Sequence, residues 1–443
     1  MRSQKSCFKK IRQLLRAALR FYPSLLYLFK WTLISLCIGL CVGSASAVFL
    51  QSLEWVTQYR ESHPWLIALL PVGGFLIGLL YHYYGKTIEG GNNLLIETIH
   101  LPQKTVPFIM APFVFVGTLI THLLGGSAGR EGTAVQMAGA IADQFSRPFR
   151  LHEKERKILI ISAISAGFGS VFGTPIAGAI FGLEVFLIGK IRYNAIFPAF
   201  AAAIIADLVT QLWNTDHAVY TIPFVPEISI LNIIYAIVAG IFFGLCAATF
   251  SKVIHKATAY FRQHITYPPF RPVLGGIIVA MAVLLLGTTK YIGLGIPTIL
   301  QAFESPLPPE DFAWKMLFTI ITLSAGFKGG EVTPLFFIGA TLGNTLSYFL
   351  PLPTGILAGM GLVAVFAGAT NTPVACSIMA MELFGSACGI YAALACVVAY
   401  LVSGNNSIYS KQILGEPKHA RFSNHEGKTI HELNNKQARK VKH

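Results

Sequence analysis

Ser127-Ala128-Gly129-Arg130, then Gly139-Ala140, then Thr174-Pro175-Ile176-Ala177, return later in the chain as Ser324-Ala325-Gly326-Phe327, Gly339-Ala340 and Thr372-Pro373-Val374-Ala375. The three offsets are 197, 200 and 198 residues. Each Thr-Pro is followed, nine positions after the proline, by a glutamate, Glu184 in the first copy and Glu382 in the second. Features matched at so constant a spacing indicate an internal duplication. The copies point opposite ways. The first runs on into the basic segment 147–157, the second into the uncharged segment 346–355. Positive charge marks the inner side of a membrane, so the two ends lie on opposite sides.

The surrounding composition agrees with a membrane. Of 443 residues, 54% are hydrophobic and 12% charged, with a mean hydropathy of +0.60, whereas about a quarter of a soluble domain is charged. Residues 31–53, 158–183, 228–251, 332–381 and 383–410 contain no Asp, Glu, Lys or Arg, and a spanning helix needs only about 20 apolar residues. Several apolar segments are interrupted at Gly125–Gly132, Gly173–Pro175, Gly293–Pro297, Gly326–Pro334 and Gly368–Pro373. Non-helical backbone at membrane depth is tolerated only inside the protein or along a cavity. The expected fold is an all-α integral membrane protein, an inverted repeat with broken and re-entrant helices. Half-helix N-termini meeting near the midplane make a site for an anion, so the residues alone reach an anion transporter.

The net charge of +14 resides in residues 1–20, 147–157 and 416–443. This pattern reads as topogenic charge facing the cytoplasm rather than as a nucleic-acid surface. It implies a multi-pass protein of the cell (inner) membrane with both termini cytoplasmic. Six cysteines, Cys37, Cys41, Cys246, Cys376, Cys388 and Cys396, lie in apolar segments without disulfide or zinc spacing, so reduced, packing thiols and no metal or other cofactor are expected. The apolar run after the basic N-terminus is too long for a signal peptide and reads as an anchor. The expected organisation is a basic cytoplasmic N-terminal helix (1–30), two membrane repeats (31–215 and 216–415) and a polar, disordered cytoplasmic tail (416–443).

Gly125-Gly126-Ser127-Ala128-Gly129-Arg130-Glu131-Gly132-Thr133 resembles the Gly-Arg-Glu-Gly-Pro motif of the CLC family of chloride channels and anion/proton antiporters. Gly329-Gly330-Glu331-Val332-Thr333-Pro334 is similar to that family's second pore motif, and Tyr409 to its pore tyrosine at the start of the last membrane helix. The matches run from about residue 30 to 415. Three departures from the chloride pattern resemble the fluoride/proton antiporter clade. Thr133 stands where chloride members usually have proline, Glu331 and Thr333 occupy a motif that is apolar there, and Gly90-Gly91-Asn92-Asn93 replaces a serine filter. In that clade the filter residue is usually Met and sometimes Asn. The inner proton-transfer glutamate of the chloride exchangers would fall on Val185, and its absence matches the clade. The resemblance further implies a homodimer with one pore per subunit.

Physical chemistry gives each residue a role beside that resemblance. Glu131 and Glu331 are ionisable groups at membrane depth and therefore candidates for proton transfer and gating. An ion pair with Arg130 is the plain alternative for Glu131, and a helix cap for Glu331. Arg130 reads as an orienting or external charge. Asn92 and Thr333 offer hydrogen bonds to a strongly hydrated anion, and Tyr409 a hydroxyl or ring edge. Gly129, Arg130, Gly132 and Thr133 complete the anion pathway, while Glu184 and Glu382 read as helix-end or interface groups.

These readings converge on a proton-coupled fluoride exporter, a secondary transporter and not an enzyme, carrying fluoride or chloride and protons within membrane lipid. A chloride/proton exchanger or passive chloride channel of the same family is the alternative. A remote one is an intramembrane serine hydrolase, because Gly125 to Gly129 fits Gly-x-Ser-x-Gly and His122 is near. Neither His152-Glu153 nor His431-Glu432 has a second histidine at zinc-protease spacing.

Overall fold

A computed structural model describes residues 2–101, 105–215, 217–419 and 425–433, with only the helical backbone given for residues 2–22. The first half carries α1 (Arg2–Ser62), α2 (Leu70–Tyr84), α3 (Asn92–His100), α4 (Met110–Leu123), α5 (Glu131–Asp143), α6 (Glu153–Phe172), α7 (Pro175–Glu184) and α8 (Ile196–Leu212). The second repeats the series as α9 (Ile230–His264), α10 (Phe270–Leu286), α11 (Ile296–Glu304), α12 (Asp311–Ala325), α13 (Val332–Leu346), α14 (Thr354–Thr370), α15 (Pro373–Phe384) and α16 (Gly389–Val402). Between α7 and α8 lies β1 (Leu187–Ile188), paired in parallel with β2 (Ile413–Leu414).

Local chemistry sets the repeated boundaries. α6 and α14 both end on a residue in the left-handed region, Gly173 (φ 69°) and Asn371 (φ 60°), the two residue types that accept it most readily. Each is followed by Thr-Pro, and proline in the first turn presets the next helix. Reciprocal capping then ties the halves together. The Glu184 carboxylate, at the end of α7, accepts from the Val374 and Ala375 N–H groups at 3.2 and 2.9 Å. Glu382, at the end of α15, accepts from those of Ile176 and Ala177 at 3.0 and 2.7 Å. Each carboxylate neutralises the other half's exposed helix start. This is the helix-end role that the matched positions suggest.

Pro23–Ser62, Pro64–Tyr84, Tyr193–Leu212 and Ile230–His264 are long and apolar enough to cross a membrane. Between them, α6, α13 and α14 are almost wholly buried. Outward faces are also apolar, with Ile230 84% and Leu285 80% exposed, as expected of surfaces that meet lipid rather than water.

The expected N-terminal helix continues into the first span, because α1 runs unbroken through Pro23. At about 1.5 Å per residue, such a helix greatly exceeds the roughly 30 Å hydrocarbon layer, so part of it must project beyond. Tyr409 does not start a helix. It lies in a loop between α16 and β2, since Ser403 to Ser410 has the Gly-Asn-Asn-Ser composition of a turn. The tail is not disordered over residues 416–419 and 425–433. Ile430 and Leu433 bury themselves against Ile188, Leu414 and Tyr400, and Lys418 Nζ donates to the Tyr400 and Gly404 carbonyls at 2.6 Å each. Two apolar residues at helical spacing suffice to dock a segment whose average composition is polar.

Candidate functional site

The two halves meet backbone to backbone at the Gly-rich turns. Gly129 N–H donates to the Gly330 carbonyl at 2.6 Å and Gly330 N–H to the Gly129 carbonyl at 2.8 Å, an antiparallel bridge. Only glycine allows this approach. A Cβ on Gly129 would lie 3.0 Å from the Gly330 oxygen and the Thr333 nitrogen, and one on Gly330 would lie 2.7 Å from Gly132 nitrogen. Immediately after the bridge, α5 starts at Glu131 and α13 at Val332.

Glu131 is fully buried, with its carboxylate at the start of α13. Thr333 donates to it twice, through its backbone N–H (3.1 Å to Oε2) and its hydroxyl (2.6 Å to Oε2 and 2.7 Å to Oε1). The Arg130 N–H adds 3.2 Å, and Arg130 Nε lies 3.6 Å from Oε1. The carboxylate thus holds the position a helix N-terminus offers to any anion. The Arg130 ion pair exists beside these hydrogen bonds and does not replace them.

A cavity of about 170 Å³ lies close to the bridge, lined by Asn92, Gln136, Lys328, Gly329, Glu331 and Tyr409 among others. Two acceptors there are buried without a partner among the described residues, Glu331 Oε2 and Asn92 Oδ1. Both side chains lie beside Gly132, where a Cβ would meet Asn92 Nδ2 at 2.9 Å and Glu331 Oε2 at 3.8 Å. A buried acceptor left unpaired is costly, and a proton on Glu331, or a proton-bearing ligand, would relieve it. Glu331 is the residue before α13 and its side chain makes no capping hydrogen bond, so the plain cap reading does not hold.

The Tyr409 loop is fixed from several sides. Ile408 N–H donates to the Ala369 carbonyl at 3.0 Å, Tyr409 N–H to Ser407 Oγ at 3.0 Å, and Lys411 N–H to Asn93 Oδ1 at 3.0 Å. Beneath it, Gln412 Nε2 donates to the Thr370 carbonyl at 2.7 Å and to the Val185 carbonyl. Val185 is itself buried.

Asn92, Glu331 and Tyr409 therefore share one cavity, and Glu131 with Thr333 forms a second cluster beside the glycine bridge. Thr133 joins neither, because its hydroxyl pairs with that of Thr118 at 2.8 Å. Gln136 and Lys328 were not read from the sequence. Lys328 was legible as a lone cation in an otherwise apolar Gly-rich stretch, the very pattern that drew attention to Glu331. The hydrolase pairing does not form. Ser127 Oγ meets Thr319 Oγ1 at 2.9 Å, while the His122 ring nitrogens face the Thr118 and Ala128 carbonyls at 2.9 and 3.1 Å.

Comparison with known proteins agrees with this geometry. Residues 73–404 match the model of the voltage gated chloride channel family. A chloride/fluoride channel protein of Pseudomonas syringae pv. tomato is 53% identical over 401 residues, covering 89% of each chain. The crystal structure of a CLC-type fluoride/proton antiporter superposes with a TM-score of 0.84 at 35% identity, over 86% of this chain and 97% of that one. A slow cyanobacterial chloride/proton antiporter, at 19% identity and a TM-score of 0.74 over 92% and 98% of the two chains, shares the fold. With a family match spanning both inverted halves and close relatives along nearly its whole length, the chain belongs to the CLC, or voltage-gated chloride channel, family.

Proposed function

We propose that this protein exports fluoride from the cell in exchange for protons. The observation that carries the reading is the Glu131 carboxylate on the Thr333 N–H and hydroxyl. An ionised Glu131 occupies the anion seat at the start of α13, and a protonated one releases it, so a single group couples the two ions. Glu331, whose buried Oε2 has no partner among the described residues, is the second proton-carrying group. Fluoride gives up more hydration than chloride, and Asn92, Thr333, Tyr409 and a protonated Glu331 are the donors that replace that water. The relatives named for fluoride support this choice over a chloride/proton exchanger or channel.

Several further assignments belong to the same reading. The protein is a carrier rather than an enzyme, supported by the separation of Ser127 from His122. It resides in the cell membrane with both termini cytoplasmic, supported by the charge of residues 1–20, 147–157 and 416–443, and it is a homodimer with one pathway per subunit, as its family resemblance implies. Residues 31–215 and 216–415 are its two repeats. Efflux of fluoride and chloride from liposomes holding the purified protein, read with ion-selective electrodes while external pH is recorded, tests the proposal. Fluoride efflux with proton uptake is expected, and chloride moving as fast as fluoride overturns it.

A further inference from the structure

Lys328 is a charge that neither the folding of the halves nor the coupling of Glu131 and Glu331 employs. It lies in the turn between α12 and α13, three residues before Glu331, at a depth where a cation is costly and normally paired. Another lysine of the same helical hairpin shows the structural use of such a group. Lys315, on α12, donates to the Tyr291 and Gly293 carbonyls at 3.1 and 2.7 Å and so holds the loop before α11. Lys328 has no hydrogen bond or ion pair among the described residues. Its stem crosses Gly117, where a Cβ would come within 2.9 Å of Lys328 Cγ. Its ammonium stands 3.8 Å from the centroid of the Tyr81 ring.

Tyr81, Glu89 and Lys328 line both the cavity that holds Asn92, Glu331 and Tyr409 and a second cavity of about 430 Å³. They therefore stand at the partition between the two. The second chamber carries Lys86 and Arg271, on the side where α2 ends and α10 begins. Among the described residues Glu89 is the carboxylate common to both cavities; it is partly exposed and lies 3.7 Å from Arg262, so its charge is divided between Arg262 and Lys328 and offsets the latter only in part. Positive charge thus continues from Lys86 and Arg271 through Lys328 to the wall of the Glu331 cavity. A carboxylate partner would hold the ammonium equally well and cancel its field. An aromatic face holds it and leaves the charge in place.

We propose that Lys328, seated on Tyr81, is the residue that draws the anion from the Lys86–Arg271 chamber into the Glu331 cavity and offsets the repulsion of an ionised Glu331. The proposal rests on the anion-transport reading above. Clefts of one sign with low-dielectric walls raise the local concentration of the opposite ion by roughly 10-fold or more.

The test is the initial rate of fluoride efflux from liposomes as a function of loaded fluoride, at low and high ionic strength, for wild type, Lys328→Gln, Lys328→Arg and Tyr81→Leu. Lys328→Gln should raise the half-saturating fluoride concentration about tenfold and flatten its dependence on ionic strength, while keeping most of the maximal rate. Lys328→Arg should preserve both. Tyr81→Leu should raise the half-saturating concentration to a lesser degree, and it carries the test if Lys328→Gln does not give a monodisperse protein. An unchanged half-saturating concentration, or a loss of maximal rate alone, overturns the proposal. If wild type moves chloride and not fluoride, the fluoride assignment fails separately, and the same comparison made with chloride still decides the role of Lys328. A wild type that moves neither ion overturns both.

Discussion

Thr333 donates both its backbone N–H and its hydroxyl to the Glu131 carboxylate, although the two residues stand 202 positions apart and belong to opposite halves of the inverted repeat. The seat of one half is therefore filled by the acid of the other. Charge-assisted hydrogen bonds contribute about 1.5–3 kcal/mol each, so on the proposed mechanism protonation of Glu131 has to outweigh this pair before the seat opens.

Replacing Glu131 with Gln removes the titration and keeps the shape. Fluoride movement driven by a proton gradient should disappear in liposomes, and with it the proton uptake recorded outside. Coupled exchange at the wild-type ratio in that variant would remove Glu131 from the mechanism. Thr333→Val loses the hydroxyl and retains the N–H, so fluoride efflux should fall by roughly tenfold, the equivalent of about 1.4 kcal/mol, without loss of coupling.

Glu331 and Asn92 both lie beside Gly132, and each carries a buried acceptor without a partner among the described residues. Glu331→Gln cannot carry a proton, and fluoride transport should fall by at least tenfold. Asn92→Ser is expected to lower the fluoride-to-chloride rate ratio while transport continues. Paired electrode measurements of the two ions decide both cases, and a Glu331→Gln protein with the wild-type fluoride rate contradicts the role given to this carboxyl.

The carboxylates of Glu184 and Glu382 hold the starts of α15 and α7. Loss of such a cap costs about 0.5–2 kcal/mol. Glu184→Ala with Glu382→Ala should lower the thermal transition of the detergent-solubilised protein by more than either change alone. Gln at both positions should recover part of the loss, since an amide oxygen still accepts. A transition unchanged in the double Ala variant contradicts the capping role.

Removal of residues 417–443 strips Lys418 from the Tyr400 and Gly404 carbonyls and Ile430 and Leu433 from their pocket beside β1 and β2. Burial of one such aliphatic side chain contributes about 1.5–3 kcal/mol. The truncated protein is expected to be less stable and to transport more slowly, because Ile430 N–H and His431 N–H donate to the Gln412 and Ser410 carbonyls at 3.0 and 2.9 Å, on either side of the Tyr409 loop's end. Full activity after truncation contradicts this.

Much of this architecture was legible because broken membrane helices leave covalent signatures. Thr-Pro at 174–175 and 372–373 marked two helix starts, and the matched spacing exposed the duplication. Glu131, Glu331 and Thr333 were readable as polar groups in apolar surroundings. Other features were not. Thr133 lies in the same motif as Glu131, yet its hydroxyl turns to Thr118, a partner on α4 that motif reading cannot supply. The docking of the tail depends on two side chains whose pocket forms only when β1 and β2 pair. The place of Lys328 is set by a Tyr81 ring from α2 and by two cavities that form only in the folded chain, which its sequence neighbours do not encode.

The Gly129–Gly330 bridge has a bearing on how such a molecule comes to exist. Neither half holds a finished binding centre. Severed in the loop between Leu212 and Ile230, each fragment would present a glycine edge with bare amides, a carboxylate lacking its threonine or a threonine lacking its carboxylate, and a helix start without its glutamate. Assembly of the centre is therefore a recognition event between two oppositely inserted pieces, and the link of chain between them keeps that encounter at a stoichiometry of one to one.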